Sequence, residues 1–183
     1  NTSSAASDVY KRQLSNSARV GTWLEWYETG KKKSRTEYEN GAPDGRRVEW
    51  YSSGQKKSEG RMIGERRDGD WTLFYESGRK KARGSYSDRG RTGTWTTWGS
   101  NGVKASRGRY VNDLRNGSWT FWWEDGTVSS EGDYRRGNKH GRWEAWHPNG
   151  AMRSKARYTD GELSGRYVEW DDRGALVARG WYR

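Results

Sequence analysis

The chain has 183 residues and a formal net charge of +11, from 35 Lys and Arg against 24 Asp and Glu. Leu, Ile, Val and Phe number only 17, too few for a thick core and, at this charge, a composition that usually means disorder. The 13 Trp and 11 Tyr reverse that expectation, because each aromatic side chain buries roughly 150–250 Å². The absence of cysteine excludes a disulfide framework and a thiolate metal site without fixing the compartment, for which the cytoplasm is the working expectation. No apolar run approaches the roughly 18 residues of a membrane span.

The first segment, residues 3–13, reads SSAASDVYKRQ and fits nothing that follows. It resembles the in-frame translation of a transposon-based sequencing adapter. The expectation is a disordered processing scar over residues 1–13, a gene taken from bulk sequencing of a mixed sample, and a native N-terminus that is missing. Residues 14–20 then fit as the end of a truncated repeat, since Leu14 stands 24 residues before Tyr38.

From Gly21 onward the chain repeats every 24 residues without insertion or deletion. Glycine recurs at Gly21, Gly45, Gly69, Gly93, Gly117, Gly141 and Gly165, and again nine residues later from Gly30 to Gly174. Between them runs an aromatic column: Trp26, Trp50, Phe74, Trp98, Trp122, Trp146 and Trp170. A fixed period of this length means an array of one small unit that buries its apolar face against its neighbours. In each unit a strand rich in aromatics (residues 22–27 in the first) ends in a short polar loop closing on glycine. A return strand follows, at about residues 32–38. This is a hairpin signature, with glycine supplying the positive φ. A Gly/Asn/Asp-rich loop leads on to the next repeat. Seven hairpins predict about 14 antiparallel strands, a sheet on the order of 65 Å long and roughly 20 Å wide. The expected fold is therefore all-β, a single-layer, elongated and twisted meander.

The return strand assigns its own faces by alternation. Its last position is Tyr38, Met62, Tyr86, Tyr110, Tyr134, Tyr158 and Tyr182. Two and four residues earlier the positions are small, as at Thr36, Gly60, Gly84, Gly108, Gly132, Ala156 and Gly180, leaving room for indoles of the neighbouring strands. The opposite face carries charge, from Arg35 and Glu59 to Lys155 and Arg179. The first strand carries a second aromatic column, Trp23, Trp71, Trp95, Trp119, Trp143 and Tyr167, three residues before the first, with Arg47 as its exception. Either a bulge brings the two columns to one face or each face carries one ladder. The Trp26 column is expected to pack between repeats. The Trp23 column is either packed or exposed.

The unit G-x-W-x-x-W-Y-x-x-G-x-K-x-x-x-x-x-Y resembles the MORN repeat, in the variant form with tryptophan in the first strand, over residues 14–183. The resemblance implies stacked β-hairpins. It also implies a non-enzymatic binding role: bacterial members are described as antitoxin or immunity partners of toxins, and MORN arrays are linked to membranes, phosphoinositides and scaffolding. No catalytic residues come with the family. Arg47, Met62 and Gly99 depart from its aromatic pattern. A weaker resemblance is to choline- or glucan-binding cell-wall repeats.

Little points to catalysis, cofactors or a small-molecule substrate. His140 falls in an inter-repeat loop and His147 at the end of a first strand, as surface histidines do. Glu25, Glu49 and Glu169 recur at one position and look like solvated residues. No glycine-rich loop leads into a helix, which excludes a P-loop. The basic column Lys32, Lys56, Lys80 and Lys104 is more suggestive. It turns apolar at Val128, Met152 and Leu176 in the last three repeats. Such a ladder meets an acidic protein, anionic lipid or nucleic acid, or else protects the sheet from aggregation. The candidate binding residues are therefore Lys32, Lys56, Lys80 and Lys104 with Trp23, Trp71, Trp95, Trp119 and Trp143. Three uses follow: a protein partner such as a toxin, a polyanion, or carbohydrate stacked on exposed indoles.

Overall fold

The computed structural model describes residues 14, 15 and 18–183; the adapter-like segment lies outside them. A two-stranded ribbon, β1 (Leu14–Ser15) with β2 (Ala18–Arg19), precedes the main sheet. The sheet runs β3 (Gly21–Trp26), β4 (Lys32–Glu39), β5 (Ala42–Trp50), β6 (Lys56–Ile63), β7 (Arg66–Phe74), β8 (Lys80–Ser87), β9 (Gly90–Trp98), β10 (Lys104–Val111) and β11 (Leu114–Trp122). It continues with β12 (Val128–Arg135), β13 (Asn138–Trp146), β14 (Met152–Thr159), β15 (Glu162–Leu163), β16 (Gly165–Trp170) and β17 (Leu176–Tyr182). Chain neighbours are sheet neighbours and antiparallel, a meander of consecutive hairpins. Fifteen strands stand where fourteen are expected because Ser164 divides the last repeat's first strand into β15 and β16. The chain forms two compact units, one reaching Lys80 and including Tyr86–Asp88, the other made of Lys81–Ser85 and Arg89–Arg183.

Each repeat contains two kinds of turn. After the first strand, the Tyr27 N–H donates to the Lys31 carbonyl and the Gly30 N–H to the Tyr27 carbonyl, both at 2.9 Å, with Gly30 at φ +77°. This is the three-residue loop whose last member must be left-handed. The link to the next repeat is shorter than the sequence suggests. It is a two-residue turn, for example Asn40–Gly41 at φ 49° and 84°, closing the Glu39–Ala42 pair. Asn, Asp and Gly are favoured here because both residues take positive φ and match the strand twist. The following strand therefore begins at Ala42, three residues before the glycine column, and interior strands run to eight or nine residues rather than six.

The early glycine column marks a bulge inside the longer strand. At Gly117, φ +72°, the register slips between the pairs Gly108–Trp119 and Arg109–Asn116. The slip frees the Arg109 carbonyl, and the Trp119 Nε1–H donates to it at 3.1 Å. Trp71 donates to the Arg61 carbonyl, Trp95 to Ser85 and Trp143 to Asp133 in the same way, at 2.9–3.1 Å. The indole thus fills its site and satisfies a backbone group that the bulge has orphaned.

Candidate interaction surface

Alternation along the first strand separates its two aromatic columns, so each face carries one ladder. The Trp23 column lies with the tyrosines and the small residues. Its members Trp71, Trp95, Trp119 and Trp143 are buried, Trp71 to 1 % exposure, and Trp23 is half-buried. A Cβ placed on Gly60, Gly84, Gly108 or Gly132 would stand 2.1–2.4 Å from the facing indole, so each ring lies flat on glycine backbone. In the second unit Trp95, Tyr110, Trp119, Tyr134, Trp143 and Tyr158 form an edge-to-face ladder with centroids 5.0–6.4 Å apart. Each such contact adds about 0.5–1.5 kcal/mol beyond burial. These indoles are the core, so the aromatic half of the candidate site is not on offer to a ligand.

A basic column missed in the sequence closes that core. The Arg19 guanidinium stands 4.8 Å from the Trp23 ring, Arg67 4.3 Å from Trp71, Arg115 4.7 Å from Trp119, and the Lys139 ammonium 4.3 Å from Trp143. Arg91 stacks at 4.1 Å on Tyr110. Arg67 and Arg115 also donate to the hydroxyls of Tyr86 and Tyr134, at 3.2 and 2.9 Å. Cation–π pairs of this kind contribute about 0.5–2 kcal/mol each. Burial, with Arg153 nearby, holds the Lys139 ammonium below the ordinary lysine range. The 24-residue spacing of these cations, four before each indole, was the available signal.

The glutamate column also belongs to this face; Glu25 is exposed as expected, while Glu49 and Glu169 are half-buried, which corrects their reading as solvated. The Ser34 hydroxyl donates to Glu25 at 2.7 Å, the Ser58 hydroxyl to Glu49 at 2.6 Å, and the Tyr167 hydroxyl to Glu169 at 2.7 Å. Burial opposes ionisation of Glu49, but hydrogen bonds from Ser58 and Arg47 outweigh it and hold the carboxyl below its ordinary range. The bond to Glu169 is the main reason the Tyr167 phenol is pushed up to about 12. His147 is half-buried and held in place: its Nε2–H donates to the Trp170 carbonyl at 2.9 Å. Tyr27 and Tyr51 make the same staple to Trp50 and Phe74, at 2.7 and 2.9 Å.

The opposite face is polar and open. On it lie the Trp26 column, the lysine column and the charged residues of the return strands. Trp26 is 43 % exposed and its equivalents are half-buried, less covered than the Trp71 column on the other face. Lys32 and Lys80 are exposed and have no carboxylate partner among the described residues. The Lys56 ammonium lies 3.1 Å from Glu59 and 5.6 Å from the Phe74 ring centre, and Lys104 lies 6.0 Å from that of Trp122. Within the first unit a rim at the hairpin-turn end therefore interleaves aromatics with lysines. Behind it the charges are matched. Arg46 bonds Glu59 at 3.0 Å and Arg61 approaches Asp44 at 3.6 Å. Burial of Glu59 is outweighed by its bonds from Lys56 and Arg46, so its carboxyl also lies below the ordinary range.

The fold and this surface define a β-hairpin repeat protein with one self-packed face and one free face. Residues 19–40, 67–88, 115–136 and 139–160 match the profile of the MORN repeat variant, and the chain is a MORN repeat protein. Comparison with curated proteins finds no match. Among solved structures, a chain of the GtfA/B complex bound to UDP and GlcNAc is similar at 13 % identity. The likeness covers 61 % of this chain and 22 % of that one with a TM-score of 0.25, too low to carry an argument.

Proposed function

We propose that this protein is a non-enzymatic scaffold that binds a protein partner through the polar face of its sheet. The observation that carries the reading is the division of the aromatics. One ladder is consumed by the core, while Trp26 and its half-buried equivalents stand beside a lysine column in which Lys32 and Lys80 lack carboxylate partners among the described residues. Indoles flanked by cations anchor many interfaces, and an acidic surface is the complement. Binding of this kind acts by occlusion. The finer reading, supported by resemblance to bacterial MORN variants, is an antitoxin or immunity protein that covers a toxin's active surface.

Charge reversal at Lys56, Lys80 and Lys104 together tests this. The variant should bind its partner more weakly with an unchanged melting temperature; unchanged affinity would remove the basic column from the account. The reading frame beside the gene supplies the first partner to try, and co-expression should protect cells from it. The unpaired lysines also favour a second reading, attraction to anionic membrane or other polyanions, which predicts binding that falls steeply with salt. Carbohydrate stacking on the Trp23 column loses its platform to burial.

A further inference from the structure

On the polar face of the second unit the charges are not matched. Arg142 in β13 pairs directly with Arg157 in β14. The strands slip at Gly165, where the Ser164 N–H donates to the Arg157 carbonyl, and Arg157 and Arg166 line one groove across β14 and β16; Arg166 pairs with Trp181 in β17. Three guanidiniums and an indole therefore cluster across four neighbouring strands, in two directly opposed pairs joined by one groove. Like charges directly opposite one another on a sheet cost stability. The corresponding row of the first unit sets Arg46 directly opposite Arg61 but offsets that cost, because Arg46 has Glu59 and Arg61 has Asp44. In the second unit Glu144 bonds Arg142 and Lys155, while Arg157 and Arg166 have no side-chain partner among the described residues.

We propose that this cluster binds single-stranded nucleic acid, with Arg142, Arg157 and Arg166 on phosphates and with Trp170 and Trp181 as base-stacking platforms. A surface groove lined by Arg142, Lys155, Arg157 and Arg166 has Val168 and Trp170 along its floor. Trp181 is 73 % exposed at the end of the cluster. A cationic track beside exposed aromatic rings is the combination that holds unpaired strands without sequence preference. The cations here are mainly arginines, whose planar forks grip phosphate in bidentate fashion, whereas the first unit's rim uses lysine. An acidic peptide would satisfy the guanidiniums but gives no reason for the exposed Trp181 indole beside them, or for Trp170 lining the groove. The site shares no residue with the lysine rim, so the two proposals stand or fall separately.

The test is fluorescence anisotropy of a labelled mixed-sequence single-stranded oligonucleotide with the full chain across a salt series. Arg157→Gln with Arg166→Gln should weaken binding at least tenfold and reduce the salt slope by about 1.4, the share of two phosphates on a single strand. Trp181→Ala should weaken binding and abolish quenching of intrinsic fluorescence, with no change of slope. Lys32→Gln with Lys80→Gln should leave affinity within twofold. If the glutamine pair melts early, Arg157→Lys with Arg166→Lys should keep the slope and lose affinity. The proposal is overturned by absence of binding at low salt, by equal losses in the Lys32 and Lys80 variant, or by polyglutamate or phosphatidylserine vesicles competing as well as the oligonucleotide at equal charge.

Discussion

The second repeat and the repeats of the second unit solve one packing problem in two ways. In the second unit an indole lies on glycine, meets tyrosine edges and carries a cation above, as with Trp119 over Gly108 beneath Arg115. In the second repeat four members change together while Tyr38 is kept. Arg47 replaces the indole, Thr36 the glycine across from it, Pro43 the cation and Met62 the tyrosine. Arg47 instead bonds Glu49 at 2.8 Å, Ser58 donates to the same carboxylate, and Thr36, Ser58 and Met62 are buried. The glycine column is thus a consequence of the indole column: where the large ring is absent, so is the need for a bare backbone.

The largest effect should come from removing a ring from the continuous ladder. Trp119→Ala leaves Gly108, Tyr110, Tyr134 and Arg115 without their shared contact, and should cost about 3–5 kcal/mol in denaturant unfolding. Removing Arg47 and Glu49 together from the second repeat should cost clearly less, because an ion pair replaced as a pair leaves no orphaned charge. Next in size is a conversion of one solution into the other. Arg47→Trp alone should destabilise, since its ring meets the Thr36 side chain. Adding Thr36→Gly should recover stability, with a coupling of about 0.5–3 kcal/mol. Additive effects would refute the pairing of indole with glycine.

The smallest effect is a local pH dependence at Glu49 in the second repeat. The Glu49 carboxyl is depressed in the folded state, so the unfolded chain binds more protons in the acid range. Its contribution is fully present above the ordinary carboxylate pKa and is lost as pH falls through the lower folded value. Amide exchange around residues 47–49 should accelerate over that window, and Glu49→Gln should flatten the response.

Much of this was legible in the sequence, because an unbroken period fixes the repeat, and glycine at strand positions announces a large neighbour. The 24-residue register located the hairpins, the tyrosine face and the small residues beneath the indoles. The faces of the two tryptophan columns were not legible. Spacing by three fits either a bulge between them or one ladder per face, and only the pairing register decides: the slip between Phe121 and Trp122 places its extra residue, Ser129, on the return strand, so the first strand keeps its alternation from Trp119 to Trp122. The Arg67 and Arg115 column was missed because a cation stacked on an indole looks, in sequence, like any exposed arginine. The early start of each strand was missed for a related reason: Gly45 reads as a loop residue when its positive φ serves a bulge inside β5.

Hydrogen exchange of the indole N–H groups, followed by NMR, tests the division of the two ladders most directly. Trp71, Trp95, Trp119 and Trp143, each bonded to a backbone carbonyl beneath a cation, should exchange slowly, while Trp26 and Trp181, the more exposed indoles, exchange faster than these four. Fast exchange at the first four with protection at Trp26 would contradict it.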